Sequence, residues 1–360
     1  MISESSREFL FDLLNTPSPT GFEAPGQRKW AARARQFAPV VESDAYGSAW
    51  ARLEGTDPTA PLVMLEAHAD EIGYMVRHIT EKGFLHLERI GGSDWAVARG
   101  RRLMILGDRG PVRGVIGNTA IHIRDRSDGD KAPDLHDLYV DIGATSAAEV
   151  LGLGLRVGHP AVYADGPEAF GQSRLLGRAL DNRIGGFILT EVLERLSVAE
   201  SKAASTLLAL NAVQEEIGGH GAKMAAHRLQ PQVCVVLDVT HATDTPGIPH
   251  TKHGDVKLGK GPTLTHGTAN HPAVVTRLME VAENLGIPLQ HEASARHTGT
   301  DTDLIYNVRE GIPSALVSLP LRYMHSVVEV ADFGDVEHVI QLLTGFVTSL
   351  RTGDVFRTEI

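Results

Sequence analysis

Four apolar runs of strand length constrain this chain most, because each leads into residues able to bind a cation or move a proton. Residues 62–67 run into His68-Ala69-Asp70-Glu71-Ile72-Gly73, and residues 206–211 run on to Glu215-Glu216-Ile217-Gly218. Residues 233–237 end in Asp238, and residues 315–319 precede Arg322-Tyr323-Met324-His325-Ser326. Runs that stay apolar without alternation suit strands covered on both faces, as in parallel sheets flanked by helices. Helical periodicity lies between and around them. Ile184, Ile188, Val192 and Leu196 share a face, residues 272–285 form a second helix, and a closing helix over 335–350 turns Val336, Val339, Ile340, Leu343 and Phe346 inward. The expected fold class is α/β, with a mostly parallel central sheet flanked by helices. Ligands on such sheets gather at the carboxyl ends of the strands, which is where these polar groups stand.

Ahead of the first run, residues 3–15 and 24–36 read as helices, with Ser3 or Ser5 capping the first. Residues 40–44 and 48–53 read as two strands around Tyr46-Gly47. From 74 to 163 the texture changes to short β-like runs at 75–79, 84–88, 102–106, 112–116, 138–141 and 161–163, many separated by glycine-bearing turns. That spacing predicts a small β-barrel-like domain inserted into the main one. The expected division is a discontinuous domain of residues 1–73 and 164–360, carrying an insert of residues 74–163. Residues 124–137 are highly charged and read as an exposed loop whose Asp134, His136 and Asp137 could mimic ligands, and residues 145–151 read as one short helix. Residues 241–267 read as loop, with His241, His250, His253 and His266 at the rim of any site.

Composition excludes several function classes. The net charge is −11 with no basic run, which argues against a nucleic-acid partner. No apolar run approaches the ~20 residues of a membrane span, and the first residues lack a signal-peptide core, so a cytoplasmic location is expected. Cys234 is alone in the apolar run 233–237 and is expected in the core. Without further cysteines the chain has no internal disulfide and no thiolate zinc motif. Any metal must be held by His, Asp and Glu.

The Glu215-Glu216 pair carries the chemistry. Two adjacent carboxylates are costly inside a fold unless something positive neutralises them. A cation with a water to activate would do so, one carboxylate binding it and the other taking the water's proton. A solvated pair at a strand end is the plainer alternative. His68 and Asp70 point the same way by the strand period of two, which suits a metal-binding imidazole held by a carboxylate; a polar loop explains them equally. Asp181 and Asn182 open a helix, where an N-cap is the plainer reading. The candidate set is His68, Asp181, Glu215, Glu216, Asp238 and His325.

Taken together and in order, these segments resemble one family, the tetrahedral (TET) dinuclear metallo-aminopeptidases. The resemblance extends to Pro17-Ser18-Pro19-Thr20-Gly21-Phe22-Glu23, Ala179-Leu180-Asp181-Asn182-Arg183, Gly91-Gly92, Asp141-Ile142-Gly143-Ala144 and Gly299-Thr300-Asp301. It implies a zinc-exopeptidase-like catalytic domain and two divalent metal ions per subunit, with zinc favoured and cobalt or manganese possible. Asp181 would bridge them, His68 and Asp238 would complete one site, and Glu216 and His325 the other. Glu215 would be the general base, and Asp70 would orient His68. The implied activity is hydrolysis of the first peptide bond of a short peptide with a free N-terminus. The implied assembly is a dimer built through the insert, and from dimers a tetrahedral dodecamer. Three positions depart from the family: Gly219-His220-Gly221 lacks the usual arginine, Val327 replaces a proline, and Thr302 an alanine. Two other activities compete. A co-catalytic metallo-deacylase or narrowly specific amide hydrolase would use the same two-metal site. A glycosidase would instead need two carboxyl groups ~5–9.5 Å apart across the scissile bond, which a base and a metal ligand do not supply.

Overall fold

A computed structural model describes residues 2–123 and 137–360. Helices α1 (Glu4–Asn15) and α2 (Ala24–Ala34) come first. Ser3 caps α1 by accepting the Ser6 N–H at 3.1 Å. An antiparallel hairpin follows, β1 (Val40–Ser43) with β2 (Ala49–Leu53), and then β3 (Val63–His68), which is buried at every position.

Six strands next close into a barrel: β4 (Gly73–Ile79), β5 (Leu85–Ile90), β6 (Arg102–Gly107), β7 (Gly110–Ile116), β8 (Val140–Asp141) and β9 (Pro160–Tyr163). Their order around the barrel is β4-β5-β8-β7-β6-β9. Each of the six short runs read from the sequence is one of these strands. Closure leaves no free strand edge to pair with another chain. Tyr74, Val76, Leu85, Leu87, Leu103, Ile105 and Val140 fill the interior. Between β8 and β9 lies α3 (Ala147–Gly152), capped by Ser146. The charged loop at 124–136, with Asp134 and His136, falls outside the described residues. Asp137 belongs to none of the metal-capable groups found among the described residues.

The remaining elements are β10 (Glu168–Phe170), β11 (Arg174–Gly177), α4 (Leu180–Val198), β12 (Leu207–Ala212), α5 (His220–Leu229), β13 (Val233–His241), α6 (His250–His253), β14 (Thr263–His266), α7 (Pro272–Leu285), β15 (Gln290–Ala293), α8 (Thr302–Ile305), β16 (Ser314–Leu321), β17 (Glu329–Asp332) and α9 (Phe333–Ser349). The central sheet has the order β1-β2-β12-β3-β13-β16-β14-β15. Its middle four strands, β12-β3-β13-β16, are mutually parallel. Antiparallel pairings occur only toward the two edges. The fold is therefore α/β, with a parallel centre and helices on both faces.

The largest core cluster joins this sheet to α1, α2, α4, α7 and α9. Each fully buried Leu, Ile, Val or Phe there contributes about 1.5–3 kcal/mol of transfer free energy. Helix α4 is buried almost all round as far as Leu193, not along one stripe, because it lies between the sheet and the outer helices. Gly185 permits that approach: a Cβ there would lie 2.9 Å from the Ala67 methyl group. Two expectations are corrected. Strand β13 continues past Leu237 to His241 because β16 pairs with it as far as Leu321. The presumed loop 241–267 contains α6 and β14. Strands β10, β11 and β17 form a small separate sheet.

Candidate metal centre

The carboxyl ends of the parallel strands open into a cavity of about 610 Å³, lined by His68, Asp181, Glu215, Glu216, Asp238 and His325. All six candidates meet there, although they come from five separate parts of the chain.

His68 is the last residue of β3, and its Nε2 lies 3.2 Å from Asp181 Oδ1. Its Nδ1 faces Asp70, 3.2 Å from the backbone carbonyl oxygen and 3.4 Å from carboxylate Oδ1. The Asp70 carboxylate does more than hold this ring. It accepts the Thr20 hydroxyl at 2.7 Å and the backbone N–H groups of Glu215 and Glu216 at 3.0 and 3.2 Å. One fully buried carboxylate thus fixes an imidazole and the Glu-Glu turn together. The Pro17–Glu23 segment serves the same corner. Ser18 donates its N–H to Glu71 at 2.8 Å, and Glu71 is paired with the buried Arg178.

Asp181 stands at the start of α4, but the N-cap alternative fails for it and for Asn182. Ala179 occupies the cap position, and no side chain caps the helix. Asn182 instead donates to the Leu237 carbonyl at 2.7 Å. The Asp181 carboxylate lies between two imidazoles, Oδ1 facing His68 and Oδ2 lying 3.2 Å from His325 Nε2. Asp238 lies inside β13, not at its end, with Oδ1 3.7 Å from His68 Nε2. Glu215 and Glu216 follow β12, with side chains 13% and 5% exposed. Glu215 is thus the more open of the two to the cavity. Its Oε2 lies 3.8 Å from His68 Nε2, while Glu216 Oε2 lies 3.6 Å from His325 Nε2.

His325 is held from two sides. Gly92 packs against its ring, whose Nε2 faces Asp181. Gly92 lies just past β5 of the barrel, and a Cβ there would sit 2.5 Å from His325 Nδ1. From behind, Glu329 on β17 accepts the His325 N–H at 2.8 Å and the N–H groups of Leu180 and Asp181 at 2.8 and 3.2 Å. This buried carboxylate staples the Asp181 turn to the His325 turn. Sequence reasoning missed it; its only signal is an acid four residues beyond His325 in an apolar stretch.

The electrostatics call for positive charge. Burial, reinforced by Asp181, pushes the Glu216 carboxyl well above the ordinary carboxylate range. Burial with the Asp181 and Glu215 charges does the same to Asp238. Burial raises Glu215 to about 8 despite the favourable His68. Asp181 goes the other way: burial opposes its ionisation, but hydrogen bonds from His325 and His68 hold it low. Glu216 Oε1 is buried and has no hydrogen-bond partner among the described residues.

These residues fit a pair of cations. His68, Asp181 and Asp238 offer donor atoms within 4.8 Å of one another, as do Asp181, Glu216 and His325. Asp181 belongs to both groups and presents one oxygen to each. A third grouping, His68 with Glu215 and Glu216, satisfies the same spacing, but it leaves Asp181 unused.

Other residues singled out by sequence take lesser places. His241 and Thr300 line the cavity, whereas His250, His253 and His266 do not. His220 is exposed at the start of α5 and is likewise outside the lining. Val327 is buried in the barrel core and Thr302 at the start of α8, neither in the lining. Cys234 is buried.

An open α/β sheet whose parallel strands deliver imidazoles and carboxylates into one cavity at their carboxyl ends defines a class, α/β enzymes with the active site on that edge of the sheet. Known proteins narrow it. A family model described as M42 glutamyl aminopeptidase matches residues 47–342. The lysyl aminopeptidase of Pyrococcus furiosus is 33% identical over 350 residues, covering 96% of this chain and 98% of its own length. A TET aminopeptidase from a marine sediment archaeon, Thaumarchaeota archaeon SCGC AB-539-E09, superposes with a TM-score of 0.91 at 31% identity, covering 96% of each chain. The Pyrococcus horikoshii TET1 peptidase, described as able to assemble into a tetrahedron or a large octahedral shell, gives 0.83 at 27% identity over 95% of this chain and 99% of its own. The chain belongs to the M42 glutamyl aminopeptidase family, and its fold is that of the TET peptidases.

Proposed function

We infer that this aminopeptidase removes the N-terminal residue from short peptides with the help of two divalent cations. His68, Asp181 and Asp238 would hold one, and Asp181, Glu216 and His325 the other. The placement of the Asp181 carboxylate between two imidazoles carries this reading. Nitrogen and oxygen donors without thiolate suit zinc and also admit cobalt or manganese. When bound, such ions lower the pKa of a water and polarise the scissile carbonyl.

The chain's own residues do the rest. Glu215 takes the proton of the attacking water and returns it to the departing amine. Its opening to the cavity suits that task. Asp70 is a positioning residue that keeps His68 turned toward Asp181 and fixes the backbone on which Glu215 sits. The barrel is the element through which subunits would pair. Its segment leaves Val115, Ile123, Leu151, Leu153 and Val157 exposed. Dimers assembled into a tetrahedral dodecamer would confine access to short, unfolded peptides.

The test is release of the N-terminal residue from a panel of aminoacyl p-nitroanilides and short peptides. Metal-stripped protein would be assayed with zinc, cobalt or manganese added back. Cleavage that needs the added ion supports the reading. Cleavage of N-acylated amino acids, with free N-termini left intact, would instead establish the deacylase.

A further inference from the structure

Resting on the aminopeptidase reading, we propose that the cavity beside the metal centre selects substrates whose N-terminal residue has a basic side chain, and that Glu292 is the selecting group. This second cavity holds about 500 Å³ and shares Val239, Thr240, Thr298 and Thr300 with the lining of the first. It therefore adjoins the place where the scissile carbonyl must lie.

Glu292 reaches into it from β15. Its Oε1 accepts the Thr240 hydroxyl at 2.7 Å, and its Oε2 accepts the Thr263 hydroxyl at 2.9 Å. Two short side chains thus fix the carboxylate in place. It forms no ion pair with any Lys, Arg or His among the described residues. A half-buried, immobilised carboxylate without a cation is an incomplete pair facing a cavity.

A second, independent observation lies on β16. Ser318 is 1% exposed, lines the same cavity, and its Oγ has no hydrogen-bond partner among the described residues. Ser318 is the direct register partner of Asp238 on one side and of Thr263 on the other. The orphan hydroxyl therefore lies on the sheet between the metal centre and the Glu292 clamp. A lysine ammonium brings three donors and no acceptor. The Glu292 carboxylate and the Ser318 hydroxyl offer it acceptors.

The distances agree. Thr240 lies two residues beyond Asp238 on the same strand face, about 6.6 Å along the axis. A flexible four-carbon stem with a charged head spans such an interval. Arg296 and His297 also border the cavity, but both are exposed, whereas the Glu292 carboxylate is anchored within it.

The decisive comparison uses p-nitroanilides of lysine, arginine, norleucine and glutamate on the zinc-loaded protein. Norleucine has lysine's carbon stem without its charge, and a p-nitroanilide has no second residue. The expected result is a kcat/KM for lysine above that for norleucine by about tenfold or more. That ratio should collapse in Glu292→Gln and turn toward glutamate in Glu292→Lys. Efficient cleavage with norleucine equal to or better than lysine would overturn the proposal and leave the aminopeptidase reading intact. So would a glutamate preference abolished by Arg296→Ala, or a basic preference confined to the second residue of dipeptides. If no free N-terminus is cleaved, the aminopeptidase reading fails, and calorimetry decides the cavity separately. Lysine amide binding more tightly than norleucine amide to the wild type alone, and not to Glu292→Gln, would uphold it; equal binding would end it. Should a variant fail to fold, the wild-type ratio still decides.

Discussion

At the residue scale, the proposed mechanism separates groups that react from groups that hold. Glu215 and Glu216 are neighbours in sequence, yet one opens toward the cavity and the other is buried against His325. Glu215→Gln keeps shape and hydrogen-bonding capacity while removing the proposed base. It should lower kcat by roughly 10²–10⁴-fold with the bound-metal content unchanged, as measured by steady-state kinetics beside elemental analysis. Asp70 should behave differently, because it acts through His68 and the Glu-Glu turn. Asp70→Asn is expected to weaken metal binding by about 10–100-fold, read by chelator competition, with activity recovering at high metal concentration. Failure of added metal to rescue any activity would show that Asp70 matters chiefly through the Glu215 backbone.

At the scale of elements, the barrel and the sheet build the site together. Gly92 stands beyond β5 and packs against the ring of His325 in the segment between β16 and β17. Gly92→Ala would drive a methyl group into that ring. A displacement of such a ligand by about 1 Å can cost some 10²-fold in rate. The expected outcome is that loss of kcat with an unchanged circular dichroism spectrum. Stability resides elsewhere, in the helix-covered sheet. Phe187 of α4 is fully buried there, and Phe187→Ala should cost about 3–5 kcal/mol, measured by denaturant titration. Much of this was legible beforehand. Strands β3, β12, β13 and β16 announced themselves as apolar runs, and the six barrel strands as short runs between turns. His68, Glu215, Asp238 and His325 stood where those runs give way to polar residues, although the strand of Asp238 runs on to His241. Strands β10 and β14 were not legible, because Glu-Ala-Phe and Thr-Leu-Thr-His carry no apolar run and gain their structure by pairing with neighbours. The place of Asp181 between two imidazoles was equally hidden. A helix-opening Asp has an ordinary use as a cap, and only the resemblance separated the two. Glu329 acts through backbone groups of two distant turns, so no spacing could reveal it.

For the whole molecule, the open question of physical interest is what covers the apolar side chains that the inserted segment leaves in water. Val115 is 47% exposed, Leu151 58% and Val157 54%, all outside the sheet that carries the metal centre. Exposed apolar groups rimmed by polar residues mark association surfaces more often than chance, and Leu151 and Val157 flank the Gly154 and Arg156 contacts with Asp108 at one end of the barrel. Self-association through this region would bury them without touching the cavity. It would also separate two properties that a compact monomer could not, intrinsic turnover and access for long substrates. The 38.8 kDa chain should then travel in analytical ultracentrifugation as a species about twelve times that mass. Introducing charge with Leu151→Glu and Val157→Glu together should shift it to small species, because each carboxylate would have to be desolvated at the interface. Turnover of a single aminoacyl p-nitroanilide should stay within about threefold, since neither residue borders the metal cavity. Unstructured polypeptides too bulky for a closed shell should be trimmed faster by the dissociated variant than by the assembly. A double variant that keeps its full mass would remove this face from the interface. One that dissociates and loses turnover of the small substrate as well would show that assembly shapes the centre and does not only enclose it.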